Sequence, residues 1–210
     1  MTSLLSLSLE SPEPEAAAAF YRSFLGPDAP VTVRQGATPS SGFRGFTVSL
    51  VVVQPGNVDL LLQGAAGAGA RVLKPAARSL WGYGGVVQAP DGAIWKVASS
   101  SKKDKGPVTR DVEDLVLLLG CGDVKQTKQF YVDQGLAVDK SYGSKYVQFA
   151  RGDSAVTLGL YGRKALAKDA GVPMEGEGSH RLTILTDGPS FTDPDGFVAE
   201  PASERRRSAS

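Results

Sequence analysis

Apolar and small polar residues alternate through "SLLSLSLES" at residues 3–11, the period of a strand with one buried face. Ser11-Pro12-Glu13-Pro14 follows and predicts a helix start, with Ser11 as N-cap and the prolines confined to the first turn. The helix runs through "EAAAAFYRSFLG" and stops at Gly26, a residue type that closes helices well. After residue 110 the same plan restarts. "DLVLLLGC" reads as an apolar strand, Asp123 and Gln126 have the spacing of a capping box, and "VKQTKQFYVDQG" is a helix ended by Gly135.

Between these starts, "VTVRQG", "FTVSLVVV", "GGVVQAP" and "AIWKVAS" read as strands. "NVDLLLQGAAGAGARV" puts Val58, Leu61, Leu62, Ala65 and Ala66 on one helical face, and Gly64, Gly67 and Gly69 weaken its end. A phosphate loop would need a strand before those glycines and a helix after them; here the helix comes first. In the second half "KYVQFA", "AVTLGLYG" and "SHRLTILTD" are strands, with a short helix or loop around "KALAKDAG". No counterpart of the first half's second helix fits between that last strand and Phe191.

Two further pairs of matching residues tie the halves together. Phe20-Tyr21 matches Phe130-Tyr131, and Pro90-Asp91-Gly92 matches Pro194-Asp195-Gly196. Four residues past the glycine stands Lys96 in the first half and Glu200 in the second. Divergent duplication accounts for both pairs and predicts repeats at 1–99 and 111–203. The polar stretch at 100–110 reads as a solvated linker, and 204–210, within "SERRRSAS", as a disordered tail.

Composition narrows the function classes. A 210-residue chain that is 41% hydrophobic and 21% charged can bury a sizeable core. Its formal charge of +1 gives no global reason to expect nucleic acid or a membrane surface as partner. The single cysteine, Cys121, excludes an internal disulfide and favours a cytoplasmic setting, as does the absence of a signal-peptide pattern after Met1. Cys121 reads as a small buried hydrophobe, and no serine sits in a nucleophile elbow.

The sequence "AFYRSFLG" followed by strands, and later "FTDPDGFVAE", resembles the glyoxalase/bleomycin-resistance/extradiol-dioxygenase group, the vicinal oxygen chelate superfamily. The likeness covers nearly the whole chain outside the linker and tail. It implies an α+β fold of tandem βαβββ modules with curved mixed sheets forming an open cleft. It also implies a cytoplasmic protein with a tendency to form a homodimer, and, in metal-dependent members, ligands from the first strand of each module and the strand after the DPDG turn.

Those positions are poor in donors. Glu200 and His180, the only histidine, stand at candidate metal positions, whereas the first strands offer "SLSLE" and "VLLLG", and Lys96 takes the other carboxylate position. A metal enzyme needs three or four protein ligands and an open position. The donor shortage argues for no cofactor; a divalent metal held by His180 and Glu200 is the alternative. His180 as a strand-start residue and Glu200 as a surface carboxylate are the plain structural readings. The aromatics point elsewhere. "SLWGYGG" sets Trp81 and Tyr83, and "SYGSKY" sets Tyr142 and Tyr146, in glycine-rich loops before strands, which suit either the mouth of a small-molecule cleft or hairpin packing. With Lys96 or Arg78 as an electrostatic anchor, they predict capture of a small, partly aromatic ligand. A metal-dependent lyase or dioxygenase, and a structural or regulatory partner protein, are the other two readings.

Overall fold

The computed structural model describes residues 2–36 and 38–202. The first half runs β1 (Leu4–Ser11), α1 (Pro14–Leu25), β2 (Val31–Gln35), β3 (Ser40–Gly42), β4 (Phe46–Val51), α2 (Pro55–Gly67), β5 (Arg71–Ser79), β6 (Gly82–Gln88) and β7 (Ile94–Ser99). The second runs β8 (Asp114–Cys121), α3 (Val124–Asp133), β9 (Val138–Ser141), β10 (Tyr146–Phe149), β11 (Thr157–Gly162), α4 (Arg163–Ala170), β12 (Gly176–Gly178), β13 (Leu182–Thr186), β14 (Phe191–Thr192) and β15 (Val198–Pro201). This is the expected α+β architecture with tandem βαβββ units.

The sheets do not follow the halves. An eight-stranded sheet has the order β5-β6-β7-β4-β8-β11-β10-β9, and a five-stranded sheet the order β14-β15-β13-β1-β2. Residues 46–99 and 114–162 therefore each form a complete βαβββ unit with the same internal strand order, and the two meet through the antiparallel β4–β8 pair. The five-stranded sheet joins the chain's two ends through β1 and β13, also antiparallel. A small ribbon, β3 with β12, crosses between the halves as well. Each half supplies one complete unit to one sheet and a partial unit to the other.

Burial explains the layering. Leu7, Leu9, Leu182, Ile184 and Ala199 turn one face of the five-stranded sheet inward, to join Phe46, Val48, Leu50, Leu117 and Leu119 of the larger sheet in one core. Removing such side chains from water contributes about 1.5–3 kcal/mol each. Trp95 of β7 packs on Tyr21 and Phe24 of α1, and Tyr131 of α3 packs on Phe149 and Phe191. The matched motifs meet here. Tyr21 donates to Asp91 Oδ2 at 2.8 Å, and Tyr131 donates to Asp193 Oδ2 at 3.0 Å. Asp193 lies two residues before the sequence match of Asp91. Asp195, the actual match, instead accepts from the Gly122 N–H and the Thr127 hydroxyl, both at 2.7 Å.

Several local expectations change. Ser11 ends β1 and is not the N-cap; α1 starts at Pro14 behind Glu13, and Ser11 Oγ accepts the Glu13 N–H. Ala66 is exposed, because α2 begins at Pro55 and its buried face runs through Val58, Leu61, Leu62 and Ala65. Arg71–Ser79 is an edge strand that the pattern did not announce; Pro75 sits where its pairing with β6 is irregular, as an edge allows. The connector is not simply solvated. Gln54, 2% exposed, accepts from the Lys105 and Gly106 N–H groups and donates to the Gly106 and Pro107 carbonyls. Asn57 accepts from the Thr109 N–H, and Arg110 donates to the Ser23 and Phe24 carbonyls at the end of α1. The tail expectation at 204–210 lies outside the described residues.

Candidate functional site

The outer face of the eight-stranded sheet carries α4. Leu166, Ala167 and Ala170 of that helix pack on Val86, Ile94 and Leu118 of the sheet, with Phe43. Two lysines hold its C-terminal end. Lys74 Nζ donates to the Lys168 and Asp169 carbonyls at 2.8 and 2.6 Å, and Lys96 Nζ pairs with Asp169 Oδ2 at 2.7 Å. Ammonium groups suit a helix C-terminus, where the last carbonyls lack partners and the helix dipole is negative. Lys96 thus has a definite task at the position where the second half of the sequence carries Glu200.

Beside this anchor lies a hollow of about 300 Å³, lined among others by Arg78, Trp81, Tyr83, Lys96, Ala98 and Asp169. Trp81 is 88% exposed, at the β5–β6 turn. Gly82 is required in that turn: its φ is +136°, and a Cβ there would meet the Ser99 carbonyl. Tyr83 donates to Asp59 Oδ1 of α2 at 2.8 Å, and that bond raises its phenol above the ordinary value, with burial adding to it. The other aromatic loop lies elsewhere. Tyr142 and Tyr146 stack at 6.2 Å, and Tyr161 packs edge-on to Tyr146, on the strands at the far edge of the sheet from β5 and β6. Trp81, Tyr83 and Lys96 therefore share one hollow, and Tyr142 and Tyr146 form a separate cluster.

His180 and Glu200 are not brought together. The His180 ring stacks on Phe197 at 3.9 Å, with Nδ1 2.6 Å from the Arg44 carbonyl and Nε2 3.1 Å from that of Asp195. Both ring nitrogens face protein acceptors, so neither is directed at an ion. Glu200 pairs in register with Leu185, three residues into β13 from Leu182, which puts it about 10 Å along the sheet from the start of that strand. Its carboxylate faces Arg34 at 3.9 Å. The same guanidinium bonds Glu10 Oε1 at 2.6 Å and Thr183 Oγ1 at 2.7 Å.

Arg34 therefore occupies the middle of the acceptors on the outer face of the five-stranded sheet. Among the described residues the buried Glu10 Oε2 has no hydrogen-bond partner. Two carboxylates and one hydroxyl around a guanidinium do not fit a divalent ion: the donors are too few, and the fixed positive charge repels a second cation. Among the described residues no group of three or more His, Cys, Asp or Glu side chains could hold a metal. Arg34 escaped the sequence reading because it lies in an unremarkable strand; only the sheet order sets it beside β1 and β13. Cys121 is buried, and burial, followed by the field of Asp195, pushes its thiol up to about 12. Among the described residues no helix is long and apolar enough to cross a membrane.

No protein-family model matches the sequence, and no curated protein matches it either. Solved structures do match. Glyoxalase I from Zea mays aligns with a TM-score of 0.61 at 14% identity, covering 95% of this chain and 91% of that one. A mutant of the same maize enzyme aligns at 0.60 with 15% identity, covering 95% and 91%. A Bacillus subtilis protein assigned as a dioxygenase aligns at 0.60 with 12% identity, covering 94% of this chain and 83% of that one. At such identities the likeness speaks for the fold.

Proposed function

From a chain with the fold of the vicinal oxygen chelate superfamily, the glyoxalase/bleomycin-resistance/dioxygenase group, and a donor set that does not suit a metal, we propose a binding protein. Its ligand is a small molecule with an anionic group and a flat apolar part, captured beside the β5–β6 turn. The observation that carries this reading is the exposed Trp81 beside Arg78 on the wall of one hollow. Among the described residues Arg78 makes no ion pair, whereas Lys96 is neutralised by Asp169. Arg78 thus supplies charge, and the indole supplies area for stacking. A hollow of about 300 Å³ is at the small end of ligand sites. Sequestration of a metabolite or an antibiotic is the use that fits binding without a metal.

Trp81 fluorescence tests the proposal, since the other tryptophan, Trp95, is fully buried. Titration with indole-3-carboxylate and 2-naphthoate is expected to quench the exposed indole saturably and to raise the thermal midpoint. Arg78→Ala and Trp81→Ala are each expected to weaken binding at least tenfold without moving the unliganded midpoint. Absence of saturable quenching by both probes would end the reading. Leu80, exposed beside Trp81, also favours docking of a protein partner. Leu80→Ser separates the two, because ligand capture predicts no effect from it.

A further inference from the structure

The hollow beside Trp81 is closed on one side by the end of a helix that packs apart from the main core. Leu166, Ala167 and Ala170 of α4 join Phe43, Val86 and Ile94 in a small apolar cluster of their own. Strand β7 divides its side chains by alternation: Trp95 and Val97 enter the main core, whereas Ile94, Lys96 and Ala98 take the face that carries α4 and the hollow. The helix follows β11 directly and ends at Gly171, whose φ of +79° is left-handed.

Four charged side chains line the hollow: Lys74, Arg78, Lys96 and Asp169. Asp169 is the one acid among them, and its place on the wall does not depend on its partner. Lys74 holds the backbone of the helix end through the Lys168 and Asp169 carbonyls. Its stem lies against Gly171, where a Cβ would meet Lys74 Cε at 2.7 Å. The backbone at Asp169 is thus clamped by one lysine while its carboxylate reaches the other, Lys96 Nζ, at 2.7 Å. That pair is not sealed off, for the lysine side chain is 32% exposed and the aspartate 43%. Water screens such a pair and leaves it weak. Rotation of the Asp169 side chain alone parts it, with the helix still held by Lys74. Among the described residues Lys96 Nζ bonds no other group, so parting the pair leaves the ammonium open to the hollow.

We infer that Asp169 is an internal competitor for the ligand's anionic group: it occupies Lys96 until a ligand carboxylate displaces it. The inference rests on the binding function proposed above and adds a control to it. Arg78 is the charge open at first contact, and Lys96 is the charge released by displacement. Exchanging one carboxylate for another leaves the ammonium paired throughout. A ligand without an anionic group cannot make the exchange, so the contact also selects against neutral aromatics.

Titration of Trp81 fluorescence with 2-naphthoate at low, fixed ionic strength tests this in the parent, Asp169→Asn and Asp169→Asn with Lys96→Met. Asp169→Asn is expected to bind about threefold more tightly than the parent, the size that a partly exposed ion pair supports. The gain is expected to vanish when Lys96→Met is added, because no ammonium is then released. Asp169→Ala, which keeps no group able to bond Lys96, repeats the gain and stands in if the asparagine variant does not fold. A parent that fails to bind ends the proposed function, and the inference with it. A parent that binds while both Asp169 variants bind no more tightly overturns the inference alone. So does a gain that survives Lys96→Met, since loss of a repelling carboxylate then explains it.

Discussion

Replacing Gln54 by alanine should release the connector between the halves. The parent side chain uses its full capacity there: Oε1 accepts two N–H groups at 2.7 and 3.0 Å, and Nε2 donates to two carbonyls at 3.0 Å. A neutral hydrogen bond contributes about 0.5–1.5 kcal/mol net. The freed connector groups can turn to water, so no penalty for stranded polar atoms is added, and the loss over the four bonds comes to about 2–6 kcal/mol. Because the connector packs outside the core, the loss acts on local opening rather than on global unfolding. Even the lower bound raises the open population about thirtyfold. Trypsin reads it directly, since Lys102, Lys103 and Lys105 lie in the clasped stretch. When opening is fast relative to cleavage, the cleavage rate follows the open population. Native-state cleavage at these lysines should therefore accelerate at least thirtyfold in Gln54→Ala, while the urea midpoint moves little. A rate within twofold of the parent would refute the reasoning and leave the clasp without energetic weight.

Removal of the buried hydroxyl in Tyr131→Phe should destabilise the fold by about 1–3 kcal/mol, because Asp193 loses a partner out of water; urea unfolding measures it. Burial holds the Asp193 carboxyl above its ordinary value of 3.8, so the folded chain takes up that proton at higher pH than the unfolded one. As pH falls through the raised value toward 3.8, the parent should gain stability relative to Asp193→Asn; a difference flat across this window would contradict the assignment. The pair Lys96–Asp169 is about one-third and two-fifths exposed, and solvent screening limits its coupling to about 0.5–1 kcal/mol in a double-mutant cycle of Lys96→Met with Asp169→Asn. Cys121, with its thiol near 12, should resist disulfide-exchange reagents at pH 8 in the native state and react fully in denaturant.

Much of the fold was legible because strands such as Leu4–Ser11 and Asp114–Cys121 bury one face or both, and that burial is written in local alternation or in apolar runs. The paired motifs were legible too, although their physical content was not: the tyrosines and aspartates form hydrogen bonds across about 60 to 70 residues, and the partner shifts by two positions between copies. Arg71–Ser79 escaped because an edge strand with Lys74 and Pro75 needs no buried face. Strand partnership escaped altogether. Nothing local to Phe46–Val51 says that its neighbour is Asp114–Cys121, nor that Arg34 reaches Glu10, Thr183 and Glu200. The candidate residues suffered in the same way. Lys96 and Glu200 stand at matching positions, but one fastens a helix and the other faces a guanidinium.

The crossing of both halves into both sheets has a consequence for biosynthesis. While the ribosome is still making the second half, the first carries bare hydrogen-bonding edges on β1 and β4, whose partners β13 and β8 have not yet emerged. A neighbouring nascent chain offers those same partners. The short connector, fastened at Gln54 and Asn57, then does more than join two halves: it keeps the chain's own β8 near the β4 edge at a high effective concentration.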